Sequence, residues 1–187
     1  MAMKVVYDDF GGAHSTQVAA ALHLGRLPTD RVVSASELME LPLFDRVTKE
    51  YHGYLIYMGE DEHGHEVYIC GRGAGHEIVE RAIASAYQLA GNTDESLRFF
   101  NTLSCVNWWM RIGGYLSRSL GWTWLGRPIV LFGTRLAYLQ LIKVVEQAKS
   151  WLSTTVPPGV IGSDGAKLSN LAHECLVPGQ VLPSQQD

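Results

Sequence analysis

From Ser96 to Val145 the chain contains no aspartate or glutamate. Arg98, Arg111, Arg118, Arg127, Arg135 and Lys143 fall in that stretch, so it is formally +6 and the remainder −10 in a chain of net charge −4. Such segregation fits an anionic partner on one side of the molecule, or arginines that pair with the acidic remainder. The negative overall balance excludes a general nucleic-acid binder. Cysteine is also scarce. Cys70, Cys105 and Cys175 form an odd, scattered set with no CxxC pair, which excludes a disulfide framework and fits reduced cytosolic thiols. The opening MAMKVVYDD has no signal-peptide core, no apolar run reaches the length of a membrane span, and no repeat of solenoid length occurs. The expectation is a cytoplasmic protein without a transmembrane segment.

What remains is globular. Of 187 residues, 47% are apolar and 18% charged, enough for one domain with a real core. Strand-like runs at Lys4 to Tyr7, Val32-Val33, Tyr54 to Met58, Glu66 to Cys70, Leu97 to Asn101 and Pro128 to Phe132 alternate with helical patterns. The helical patterns cover Ser15 to Leu24, a short turn from Ser36, His76 to Leu89, Val106 to Leu120 and Thr134 to Trp151. This order predicts an α/β fold: three layers, a mostly parallel sheet of about four to five strands, helices on both faces, and an appended β-hairpin. The domain is expected over 1–152. Proline and glycine mark 153–187 as a loosely held tail.

In such sheets ligands bind beyond the carboxyl ends of the strands. Four strand-to-helix loops therefore carry the functional expectation. The first, Asp8 to Ser15, has the length of a Walker A loop but departs from it at three places. Asp8 and Ala13 replace glycines, and His14 replaces the lysine whose fixed charge a nucleoside triphosphatase needs. A standard ATPase is excluded. Gly11, Gly12, Ser15 and Thr16 at the start of a helix still suit an anion, though a tight strand-helix turn needs glycine anyway. The second loop, GRGAGHE, repeats the design with Arg72, Gly73, Gly75 and His76. The third, Asn101 to Asn107, places Asn101 and an inert Cys105 beside a helix start. The fourth, Gly133-Thr134-Arg135, adds a hydroxyl and a guanidinium.

Two further clusters have plainer readings. Asp61-Glu-His-Gly-His65-Glu66 is read as a solvated hairpin tip, with no metal assigned. Trp108, Trp109, Ile112, Tyr115, Leu116 and Leu120 form an apolar helix side, with Arg111 and Arg118 opposite. The tryptophans are expected to pack that helix on the sheet. The other reading is a surface for a membrane or a partner protein.

The segments GGAHST, LHLGRLP, YMGEDEHGHEVYICGRG and MRIGGYLSRSLG…LGRPIVLFGT resemble the DUF3189 family, uncharacterised proteins of Gram-positive, mostly spore-forming bacteria. The resemblance covers about Lys4 to Trp151. It implies a cytoplasmic protein linked to sporulation, and assigns no activity, cofactor or residue role. The residues themselves lead to two expectations. One is an anionic, phosphate- or nucleotide-like small molecule held by the glycine loops, with His14 and His76 as acid or base. The other is a non-catalytic interaction protein that docks a protein partner, another copy or a membrane through the Arg/Trp helix.

Overall fold

A computed structural model describes residues 2–93 and 96–155. Strand β1 (Lys4–Asp9) lies inside a four-stranded sheet of order β2-β3-β1-β4. It pairs in parallel with β3 (Glu66–Gly71) on one side and β4 (Leu97–Asn101) on the other. β2 (Ile56–Glu60) runs antiparallel to β3 and forms the sheet edge. The sheet is therefore mixed but mostly parallel. Its helices are α1 (Ser15–His23), α2 (Ala35–Met39), α3 (His76–Leu89), α4 (Trp108–Gly114) and α5 (Thr123–Thr155).

Alternation along β1 divides the core, because successive side chains point to opposite faces. Val5, Tyr7, Val67 and Ile69 pack with α1 and with the buried side of α5. Val6, Tyr68 and Cys70 pack with Val79 and Ile83 of α3. Helix α2 is started by a capping box, in which the Ser34 side chain accepts from the Glu37 amide and Glu37 returns a bond to the Ser34 amide.

Three expectations need correction. Val32-Val33 is not a strand. Val33 is a buried core residue whose carbonyl accepts from Arg135 Nε at 3.0 Å. Pro128 to Phe132 is not a strand either, but part of the 33-residue helix α5. A short apolar run cannot be assigned by periodicity alone. Read onward, the buried residues Val130, Gly133, Thr134, Ala137, Tyr138, Leu141, Ile142, Val145, Ala148 and Leu152 recur at helical spacing. Pro128 is tolerated near the helix start because the carbonyl it leaves free, that of exposed Trp124, can be solvated. Merging strand and helix makes α5 long and apolar enough to cross a bilayer by length and composition, so the expected lack of a transmembrane segment is left without support. The domain end expected at 152 falls inside α5, and the tail expected from 153 lies, beyond residue 155, outside the described residues.

The third correction concerns α4. Its tryptophans face outward, Trp108 at 69% and Trp109 at 49% exposure, and Met110, Gly113 and Ser117 face inward. Glycine makes this packing possible. A Cβ on Gly126 would sit 2.5 Å from the Ser117 amide nitrogen, and one on Gly133 would sit 2.7 Å from that of Met110. The pairing of Ser117 with Gly126 and Met110 with Gly133 shows that α4 and α5 run antiparallel, backbone against backbone. After α4 the helix widens into one π turn, Tyr115–Ser119.

Candidate functional site

The loops at the carboxyl ends of β1, β3 and β4 meet. Register places Asp8 level with Cys70 and with Asn101. The Arg72 amide donates to the Asp9 carbonyl at 2.9 Å and the Gly73 amide to the Phe10 carbonyl at 2.9 Å, tying the second loop to the first. Gly12 has φ +72°, and a side chain there would crowd the Gly71 backbone at 3.0 Å. The third loop is tied on by Thr102, whose hydroxyl donates to the Asp8 carbonyl at 3.0 Å and to Ser15 Oγ at 2.9 Å.

The turn carries its own anion. The Asp9 carboxylate accepts from the Gly12 amide and from Ser15 Oγ. The Thr102–Ser15–Asp9 chain thus fills the inside of the glycine turn. Helix α1 begins just beyond it with Ser15 and Thr16 fully buried, no side-chain cap and no acid in its first turn. A helix start leaves its first amides without intrahelical partners, and burial keeps bulk water from serving them. Among the described residues, Thr16 Oγ1 and Gln17 Oε1 are also buried without a hydrogen-bond partner.

His14 stands at this helix start with its side chain 12% exposed. Its ring lies edge-on to Phe44, centroids 5.3 Å apart, and close to Gly114, where an added Cβ would come within 3.4 Å of Cε1. Nε2 is 3.1 Å from Asp45 Oδ1. Asp45 is fully buried and is the one non-glycine residue recorded with positive φ, 56°, among the described residues. Ser117 Oγ donates to both its oxygens, at 2.9 and 2.7 Å, and Arg127 Nε donates to Oδ2 at 2.9 Å. The Asp45 amide donates to the Ala13 carbonyl at 3.0 Å, and Arg118 Nη1 donates to the Asp45 carbonyl at 2.8 Å. Burial pushes the Asp45 carboxyl up, but the bonds from His14, Ser117 and Arg127 outweigh it and hold it at about 2. A carboxylate only accepts, so His14 must present N–H at Nε2. Nδ1 has no hydrogen-bond partner among the described residues.

The other expected residues are differently placed. Arg72 is turned inward and almost fully buried, paired with Asp8 and, at 2.9 Å, with Glu80. Burial drives the Asp8 carboxyl up to about 7, further than Arg72 draws it down. Gly73 and Gly75 are accessible in the second loop, and His76 opens α3, with its side chain outside the described residues. Asn101 is exposed, and its Oδ1 accepts from the Leu103 amide at 2.7 Å. Thr134 and Arg135 lie in α5 rather than in a strand-end loop. Thr134 Oγ1 donates to the Val130 carbonyl at 2.8 Å, so the fourth loop does not exist. Burial raises the thiols of Cys70, to about 12, and Cys105. His65 accepts from the Met3 amide at 3.3 Å, and no cluster of three or more His, Cys, Asp or Glu suited to a metal occurs among the described residues.

Sequence reasoning missed Asp45 and Ser117, and named Arg118 and Arg127 only as cations of the acid-free stretch. The expectation that these arginines pair with the acidic remainder holds for Arg127, which meets Asp45. Comparison with curated proteins and with solved structures finds no match. The family model described as a protein of unknown function (DUF3189) matches residues 4–150. That span covers most of the chain, and the chain belongs to this family.

Proposed function

We propose that the protein binds a phosphate-bearing or otherwise anionic small molecule where the Gly11–Ser15 turn enters α1, and that His14 is the side chain that meets it. The observation that carries this reading is the clamp of Asp45 on His14 Nε2, which leaves Nδ1 without a partner beside an uncapped helix start. The amides of that start supply partial positive charge. Asp9 already occupies the inside of the turn, so the ligand sits on the His14 side of it. With Nε2 held by Asp45, His14 is placed to exchange a proton at Nδ1 in phosphoryl or acyl transfer, and Asp45 is a positioning residue. The reading takes the sheet as a middle layer with the β2–β3 hairpin at its edge; the two separate apolar clusters support the layering. It also keeps the protein in the cytoplasm, and the burial of Cys70 and Cys105 accords with reduced thiols.

A thermal-shift titration tests it. Inorganic phosphate, nucleotides and sugar phosphates are added to the wild type and to His14→Ala, and each shift is read against that variant's own ligand-free midpoint. A ligand at 100 times its Kd stabilises by about 2.7 kcal/mol. The expected result is a concentration-dependent rise in the wild type that is lost in His14→Ala. An equal rise in both proteins, or none in either, overturns the proposal.

A further inference from the structure

The antiparallel pair α4 and α5 turns an aromatic, cationic face to solvent. Trp108, Arg111 and Tyr115 are exposed and share one side of α4 and the turn after it, at spacings of three and four. On α5, Trp124, Pro128, Phe132, Leu136, Leu139 and Lys143 are exposed at spacings of four, four, four, three and four. That stripe is about 28 Å long at helical rise. The two helices present one continuous surface, because Trp109 of α4 meets Phe132 of α5 edge-on with ring centroids 5.7 Å apart. Trp124 is 78% exposed and Trp122, in the connection, 53%. Soluble proteins seldom expose so large a contiguous apolar patch without a use for it.

We propose that this face lies on an anionic lipid bilayer, in the plane of the headgroups, with its tryptophans and tyrosine at the interface and its cations on lipid phosphates. Charge selects this occupant. The stretch from Ser96 to Val145 is free of acids, and its exposed cations include Arg111 and Lys143. A second copy docked by the same face would set positive charge against positive charge. The mixture of Trp, Phe, Leu and Arg on one helical side is that of interfacial segments, and a negatively charged leaflet attracts it. Spanning the bilayer is disfavoured because nearly half of the apolar window of α5 is buried inside the protein. Tyr138 on its inner side also donates to the Pro28 carbonyl at 2.7 Å.

The test is sedimentation of the full chain with vesicles of phosphatidylcholine alone and of phosphatidylcholine with 30% phosphatidylglycerol, followed by tryptophan emission. The expected result is binding at least tenfold tighter to the anionic vesicles, a blue shift on binding, and loss of both in 0.5 M salt. Trp108→Ser with Trp124→Ser, and separately Arg111→Glu, should each weaken binding about tenfold without moving the thermal midpoint. His14→Ala should bind vesicles like the wild type, which separates lipid phosphate on this face from an anion at α1. Equal binding to both vesicle types, absence of binding, or a concentration-dependent dimer that the Trp108→Ser/Trp124→Ser pair abolishes would overturn the proposal.

Discussion

Replacing Asp45 by asparagine isolates a single charge. Asparagine keeps the size of the side chain and tolerates the left-handed backbone at φ 56°, so the substitution adds little strain. What it removes is a carboxylate held at about 2 against an ordinary 3.8. A folded-state value below the unfolded one gives stability that is complete above the unfolded value and is lost as pH falls toward the folded one. At 1.36 kcal/mol per unit, the difference is worth about 2 kcal/mol at neutral pH. By pH 3 about 1 kcal/mol of it should be gone, and below pH 2 most of the rest. The assay is urea unfolding of wild type and Asp45→Asn between pH 6 and pH 3, followed by circular dichroism. The gap between the two proteins should be about 2 kcal/mol at pH 6 and should narrow by about 1 kcal/mol at pH 3. A gap that is small at pH 6, or that does not change with pH, would refute the view that the bonds from Ser117, Arg127 and His14 outweigh the burial of this carboxylate.

Gly126→Ala should cost about 1–3 kcal/mol of unfolding free energy in a urea titration, because its Cβ would meet the backbone of Ser117 at 2.5 Å and that of Gly113 at 2.6 Å, neither of which can turn aside. Asp8→Asn should act with the opposite pH dependence to Asp45→Asn. Burial raises Asp8 to about 7, so ionising it opposes folding, and wild-type stability should fall as pH rises from about 4 through 7. The variant should flatten that part of the stability–pH curve, and an unchanged slope would show that Arg72 holds Asp8 ionised throughout.

Much of the fold was legible because short-range signals agreed. The α3 and β4 bounds follow from a helical period closed by Gly91 and from a short run carrying Leu97, Phe99 and Phe100, and both stand in the structure as His76–Leu89 and Leu97–Asn101. The α5 error has the same origin. Pro128 followed by Ile, Val, Leu and Phe reads locally as a strand, and only the stripe continuing to Leu152 decides for a helix. The aromatic side of α4 was misread for a different reason. An apolar helix side usually marks the buried side, but here glycine and serine let two backbones approach, so the inner side is the small one and the large rings are left outside.

The candidate site was half legible. His14 and the glycine turn lie within one short segment, where chain order and spatial order coincide. Asp45 lies 31 positions from His14, and the side chains that hold it, Ser117 and Arg127, lie 72 and 82 positions from Asp45. Nothing in Leu43-Phe44-Asp45-Arg46-Val47 marks one aspartate as buried, because its burial is created by α5 and by the turn after α4. The acid-free stretch held the counterpart of that information. Its arginines divide by geometry: Arg127 reaches the Asp45 carboxylate, Arg118 the carbonyls of Asp45 and Arg46, and Arg135 that of Val33, while Arg111 stays in solvent. Formal charge counted along the chain therefore overstates the cations left for a partner. It could not say which arginines remain free, since that depends on which side of two closely packed helices each one falls. The same packing thus brings Arg127 Nε onto Asp45, which fixes His14, and leaves Arg111 among the outward tryptophans.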